Sequence, residues 1–259
     1  MKKIQKETIR LIVDNLDDVE RFAGNKHIVV KNTVREHIQG IIELIKGLEI
    51  TEELRDDLTI RALLHDAGEL GGEISTITAV LNGDAPTKEQ KDEFERLVFG
   101  VFVHYAMICV QDGTEDEFYR NLGALRTMVR RLADPPPEGE EKKYTLQTLI
   151  DWLSGAYEKM NKHGYAFHLE DLYKTAVENE SYEGRLFKAL DLLEGNRWYC
   201  EHAIDLTSTP PESLQGFLTY AREIISHLGC TAPETQVRAM LVETLADYEN
   251  LVGGVANVA

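Results

Sequence analysis

Arg61-Ala62-Leu63-Leu64-His65-Asp66-Ala67-Gly68-Glu69 turns an apolar, helix-forming run abruptly into an imidazole, a carboxylate and, one turn later, a second carboxylate. Neutral imidazole and carboxylate are both good donors to divalent cations of intermediate hardness. If a helix continues through this run, Glu69 stands at i+3 from Asp66 and at i+4 from His65, and all three share one face. Most such doublets are simply the end of a surface helix, so the meaning of this one depends on the rest of the chain.

Upstream, Val34, His37, Ile38, Ile41, Ile42 and Ile45 recur at helical spacing, which places His37 on the stripe that faces a core. It reads either as a buried histidine satisfied by a carbonyl or as a ligand. Downstream, Leu186, Phe187, Leu190, Leu193 and Trp198 form another stripe, with Asp191 beside it. A buried, unpaired carboxylate is very costly, so Asp191 requires a cation: Lys188, Arg185, Arg197 or a metal.

Taken together, His37, His65-Asp66 and Asp191 resemble the ligand pattern of the HD-domain metal-dependent phosphohydrolases. Glu69 fits the HDxxE arrangement, and Phe187-Lys188-Ala189-Leu190-Asp191-Leu192-Leu193-Glu194 looks like the helix that carries the last ligand. Within that superfamily the nearest likeness is to the bacterial HD-domain 5′-deoxynucleotidases, through Arg21-Phe22 and Asn32-Thr33-Val34-Arg35-Glu36-His37. Glu73 matches a further acidic residue after HDxxE, with a one-residue gap. The likeness covers about residues 15–80 and 183–205, and Asp191 follows Asp66 by 125 positions.

The resemblance implies an all-α HD-type helical bundle with extra helices before the last ligand helix and at the C-terminus. It implies a single composite domain over 1–259 and a divalent cation (Mn, Co, Fe, Mg or Zn) on His37, His65, Asp66 and Asp191. It further implies hydrolysis of a phosphate ester on a small nucleotide, most simply a (deoxy)nucleoside monophosphate, by water activated on the cation. Glu69 would accept and return the proton, with Asp66 the other catalytic residue, and Arg21, Phe22 and Glu73 would bind substrate. A triphosphohydrolase, a phosphodiesterase using a second metal at His104, and a non-catalytic nucleotide- or protein-binding module are the alternatives. A homodimer is a further expectation from the resemblance.

Charge and composition narrow the partners. Twenty-eight basic against forty-five acidic residues give a net charge of −17, which repels a nucleic-acid duplex at long range. Arg126, Arg130 and Arg131 form the notable basic cluster and read as a solvated helix end. Cys109, Cys200 and Cys230 are widely spaced and read as reduced thiols. The N-terminal residues carry no apolar segment of secretory type, and no eighteen-residue apolar run occurs, so a cytoplasmic location and no membrane partner are expected.

Periodicity predicts helices near 4–21, 30–48, 51–67, 87–111, 115–132, 143–161, 168–178, 183–205, 211–228 and 233–251, with Thr51 and Thr87 as N-caps. Ile28-Val29-Val30 is a short strand signal. Asp134-Pro135-Pro136-Pro137-Glu138-Gly139-Glu140-Glu141 reads as a linker between an N-terminal and a C-terminal lobe. His163 and His168, around Gly164, suggest a loop that closes on substrate, with a solvent-facing loop as the plainer reading.

Overall fold

A computed structural model gives the fold, describing residues 3–21, 32–72, 86–132, 145–161, 167–202 and 211–256. The chain is all-α, with ten α-helices among these residues. Helix α1 (Lys3–Asp14) buries Thr8, Ile9, Ile12 and Val13 along one stripe. The helix expected over 4–21 stops at Asp14. A 3₁₀ turn comes next at Asn15–Asp18, and Glu20–Arg21 then pairs antiparallel with Asn32–Thr33. Two hydrogen bonds support that break: Asn15 Nδ2 donates to Leu11 O at 2.8 Å, and Arg126 Nη2 donates to Asn15 O at 2.5 Å. The strand signal at 28–30 lies outside the described residues.

Helix α2 spans Val34–Lys46 and α3 Glu52–Leu64. Thr51 acts at the start of α3 as expected, its hydroxyl accepting from Leu54 N at 3.3 Å. Helix α4 (Lys88–Asp112) opens on a complete capping box, in which the Thr87 hydroxyl takes the Gln90 N–H and the Gln90 side chain takes the Thr87 N–H. It closes on Gly113, whose φ of 67° is left-handed and suits glycine. The remaining helices are α5 (Asp116–Leu132), α6 (Leu146–Asn161), α7 (Phe167–Val177), α8 (Tyr182–His202), α9 (Pro211–His227) and α10 (Ala232–Ala256).

Contacts divide the chain into two compact units, each assembled from segments distant in sequence. In the first, α1, α5, α6 and the turn after α3 all pack on α4. Helix α4 is correspondingly apolar on several sides, burying Phe94, Val98, Phe99, Phe102 and Met107. Phe102 meets Phe118 of α5 edge to face, and Phe99 stacks on Tyr173 with centroids 4.3 Å apart. Helices α5 and α6 lie on either side of the proline-rich stretch yet belong to this same unit, so the expected boundary between lobes does not fall there. The stretch itself, 134–141, is outside the described residues.

The second unit is built on an apolar cluster shared by four helices: Ile41 and Ile45 of α2, Leu58 and Ala62 of α3, Leu186, Phe187, Leu190 and Leu193 of α8, and Val237 and Leu241 of α10. A satellite cluster joins α9 to α10 through Leu218, Ala221, Leu245 and Tyr248. Arg61 braces this unit from inside. Its guanidinium is almost wholly buried and donates to Asp57 Oδ2, to the carbonyls of Thr175 and Glu178, and to Ser181 Oγ. Thr175 and Glu178 sit at the C-terminal end of α7, so Arg61 satisfies carbonyls that a helix end leaves open. No helix among the described residues is long and apolar enough to cross a membrane.

Candidate metal centre

Helix α3 ends at Leu64, so His65, Asp66 and Glu69 do not stack on one helix face as the spacing alone suggests. His65 and Asp66 occupy a turn, and Ala67–Gly71 winds as a 3₁₀ helix, with Glu69 N bonded to Asp66 O at 2.9 Å and Gly72 N to Glu69 O at 2.7 Å. Gly72 leaves this turn at φ 126°, a conformation that excludes most side chains. Gly68 is needed for a different reason: a Cβ there would lie 2.6 Å from Glu95 Cβ and 2.7 Å from Glu95 O on α4. The turn is thus pressed against α4, and Ala67, Gly68, Glu69, Leu70 and Gly71 are all buried.

Within this first unit, His65 Nε2 lies 3.0 Å from Asp66 Oδ2. Lys91 of α4 approaches both Glu69 Oε1, at 3.9 Å, and Glu95 Oε1, at 3.3 Å. Burial works to lower the Lys91 pKa, but Glu95 and Glu69 more than reverse that, and its ammonium ends above the usual lysine value. Glu95 is pushed up to about 7, chiefly by burial, with Lys91 opposing and Asp66 adding to the rise. Lys91 was not apparent from sequence, although it lies on the first turn of a well-capped helix.

In the second unit His37 is completely buried on α2, held between two carboxylates of α8. Its Nε2 is 3.0 Å from Asp191 Oδ1, and its Nδ1 makes a very close contact with Glu194 Oε2. Asp191 Oδ2 receives Lys188 Nζ at 2.7 Å, which selects Lys188 from the cations open to it; Arg185 instead donates to Glu180 O. A neutral imidazole has one N–H and one lone pair. Facing carboxylates with both nitrogens, His37 needs either a second proton or a cation between Nε2 and Asp191. Two donors on adjacent positions of one octahedral cation, each at about 2.1 Å, stand about 3 Å apart, so the Nε2 to Oδ1 separation suits a shared ion. The sequence alone does not single out Glu194 as a site residue, though its place one turn after Asp191 in the same helix is a usable signal.

His37 and Asp191 each offer one ligand atom to a metal ion within the second unit, and His65 offers another within the first. His104 belongs to no group of potential metal ligands among the described residues. It is buried on α4, with Nδ1 bonded to Gly100 O at 2.7 Å and Glu170 Oε1 3.9 Å away. Arg21 lies in the two-residue strand, paired in register with Asn32. Phe22, Glu73 and His163 are outside the described residues, and His168 is exposed on the first turn of α7. Arg130 and Arg131 are exposed as expected, whereas Arg126 turns inward: it donates to Leu70 O, Asn15 O and Asp18 Oδ2 and ties the 3₁₀ turns of the first unit to α5. Cys109 is buried, Cys200 half-buried and Cys230 exposed, all as free thiols. No protein-family model, curated protein or solved structure matches the chain.

Proposed function

We propose that this protein is a divalent-metal-dependent phosphohydrolase that removes phosphate from a small nucleotide, a (deoxy)nucleoside monophosphate. The observation that carries the reading is His37, sealed from solvent with each ring nitrogen against a carboxylate, an arrangement completed by a cation on Nε2 and Asp191. By the resemblance of the sequence to the HD-domain phosphohydrolases, the remaining imidazole and carboxylate of the ligand set are those of His65 and Asp66. Two nitrogens and two carboxylates leave one or two positions open on a five- or six-coordinate ion, which separates a catalytic site from a closed structural one. When bound, the cation supplies Lewis acidity toward a phosphoryl oxygen and acidifies a water.

The protein's own part is proton transfer and binding. Glu69, buried and close to Lys91, takes the proton from the attacking water and returns it to the departing alkoxide. Arg21 offers a planar, two-pronged donor to the phosphate, a geometry that lysine does not match. Purified protein loaded with Mn²⁺ or Co²⁺ is expected to release inorganic phosphate from a panel of nucleoside monophosphates, and Asp66→Ala to abolish release. Equal activity in that variant refutes the assignment, and release of tripolyphosphate from nucleoside triphosphates instead would transfer it to a triphosphohydrolase.

A further inference from the structure

We infer that Glu194 is the positioning residue that sets the His37 ring for cation binding, and that Gly40 is the gap through which it reaches that ring. The inference rests on the proposed metal site and extends it to two residues that touch no ion. Asp191 and Glu194 are one turn apart on α8, so both project to the same side and address opposite nitrogens of one imidazole. With Nδ1–H donated to Glu194, the lone pair of the neutral ring is left on Nε2, the nitrogen beside Asp191 Oδ1. Without Glu194 the proton could reside on either nitrogen, and half of the possible arrangements would block the ligand atom. A carboxylate on the far nitrogen also makes the imidazole a stronger donor.

Gly40 supplies the independent observation. It lies one turn after His37 on α2, where glycine costs about 1 kcal/mol relative to alanine in a helix interior. A Cβ at Gly40 would stand 2.6 Å from Glu194 Oε1 and 2.8 Å from Glu194 Cγ. The space that glycine leaves is therefore filled by the side chain that crosses α2 to meet His37. Glu194 is mostly buried there, so an alanine at position 40 has to displace it.

The test uses Zn²⁺ alone as the probe, titrated calorimetrically into the metal-free full-length chain and into four variants, each first shown to unfold cooperatively. Asp191→Ala, which removes a ligand, is expected to weaken Zn²⁺ binding by more than 100-fold. Glu194→Ala and Gly40→Ala are expected to weaken it by about 10- to 100-fold, the range for a carboxylate behind a ligating histidine. Glu194→Gln, whose carbonyl oxygen still accepts from Nδ1–H, is expected to remain within about fivefold of wild type. Long-range proton–nitrogen spectra of the Zn²⁺ form should show His37 protonated at Nδ1 in wild type and Glu194→Gln.

If Glu194→Ala and Gly40→Ala bind Zn²⁺ like wild type while Asp191→Ala does not, the positioning role is wrong and the metal site stands. Glu194→Gln as damaging as Glu194→Ala makes Glu194 a ligand and also overturns the inference. Unchanged binding in Asp191→Ala removes the metal reading itself.

Discussion

The Tyr157 hydroxyl donates to Glu170 Oε2 at 2.6 Å, joining α6 to α7 inside the first unit. Burial and this bond push the Tyr157 pKa up to about 12. Arg96 lies over the same ring, 5.6 Å from its centroid, and Gly100 admits the ring edge where a Cβ would come within 2.7 Å of it. Tyr157→Phe keeps the ring contacts and leaves a buried carboxylate short of its donor. We expect a loss of about 1.5–3 kcal/mol of unfolding free energy by urea denaturation, the range for hydrogen bonds to charged groups.

Arg61 gives a larger effect for the same physical reason. Its fork serves one side chain of α3, two backbone carbonyls and Ser181 together. Arg61→Ala leaves those carbonyls unmet and is expected to cost at least about 3 kcal/mol. Arg61→Lys should recover less than half of that, because a single ammonium cannot span the same partners. Equal stability of the lysine variant and wild type in guanidinium titration would refute this account.

Glu95 makes the stability of the metal-free protein depend on pH. In the unfolded chain its carboxyl ionises near 4.5, whereas in the folded protein burial holds it to about 7. Between those values the folded state keeps a proton that the unfolded state has lost, so stability falls as pH rises through the window. Glu95→Gln removes the penalty. Its advantage over wild type should be absent below pH 4.5 and grow to about 3 kcal/mol above pH 7, read from denaturation midpoints at several pH values.

Metal removal provides a direct check on the proposed centre. At a free Mn²⁺ concentration about 100 times the dissociation constant, unfolding free energy should rise by about 2.7 kcal/mol, and a chelator should reverse the gain. Asp191→Ala should melt at the same temperature with and without Mn²⁺.

Glu69→Gln separates proton transfer from metal binding. If Glu69 is the general base, the variant should lose about 10²- to 10⁴-fold in kcat while holding Mn²⁺ as tightly as wild type. A loss of Mn²⁺ affinity would make Glu69 a ligand.

Long amphipathic stripes were plain in the sequence, because burying one face of a helix leaves a repeat that side-chain chemistry alone reveals. The N-terminus of α4 was equally plain, since Thr87 and Gln90 carry a local capping signal. The early end of α1 was not: no glycine or proline marks Asp14, and the break depends on Arg126, 111 residues from Asn15. The same distance hid the role of Arg126, whose neighbours Arg130 and Arg131 made it look like part of a solvated face. At the site, His37 and Asp191 stand out as polar residues on apolar stripes, and Lys188 is one of the cations that the sequence sets near Asp191. Glu194 and Lys91 do not, because an acidic or basic residue next to a helix stripe is ordinary until its partner in space is known. The turn carrying His65 and Asp66 looks helical in the sequence because Gly68 and Gly72 reveal their purpose only against Glu95 and through a positive φ.

The contact between His37 and Asp191 joins positions 154 apart in the chain. As the protein emerges from a ribosome, α2 and α3 appear long before α8 and α10, whose side chains complete their apolar cluster. Ile41, Ile45 and Leu58 therefore wait in water through the synthesis of most of the first unit. The cost of such a late closure is slow folding and an interval of exposed apolar surface. It also means that a nascent chain cannot capture a cation through His37 and Asp191 together until α8 has been made.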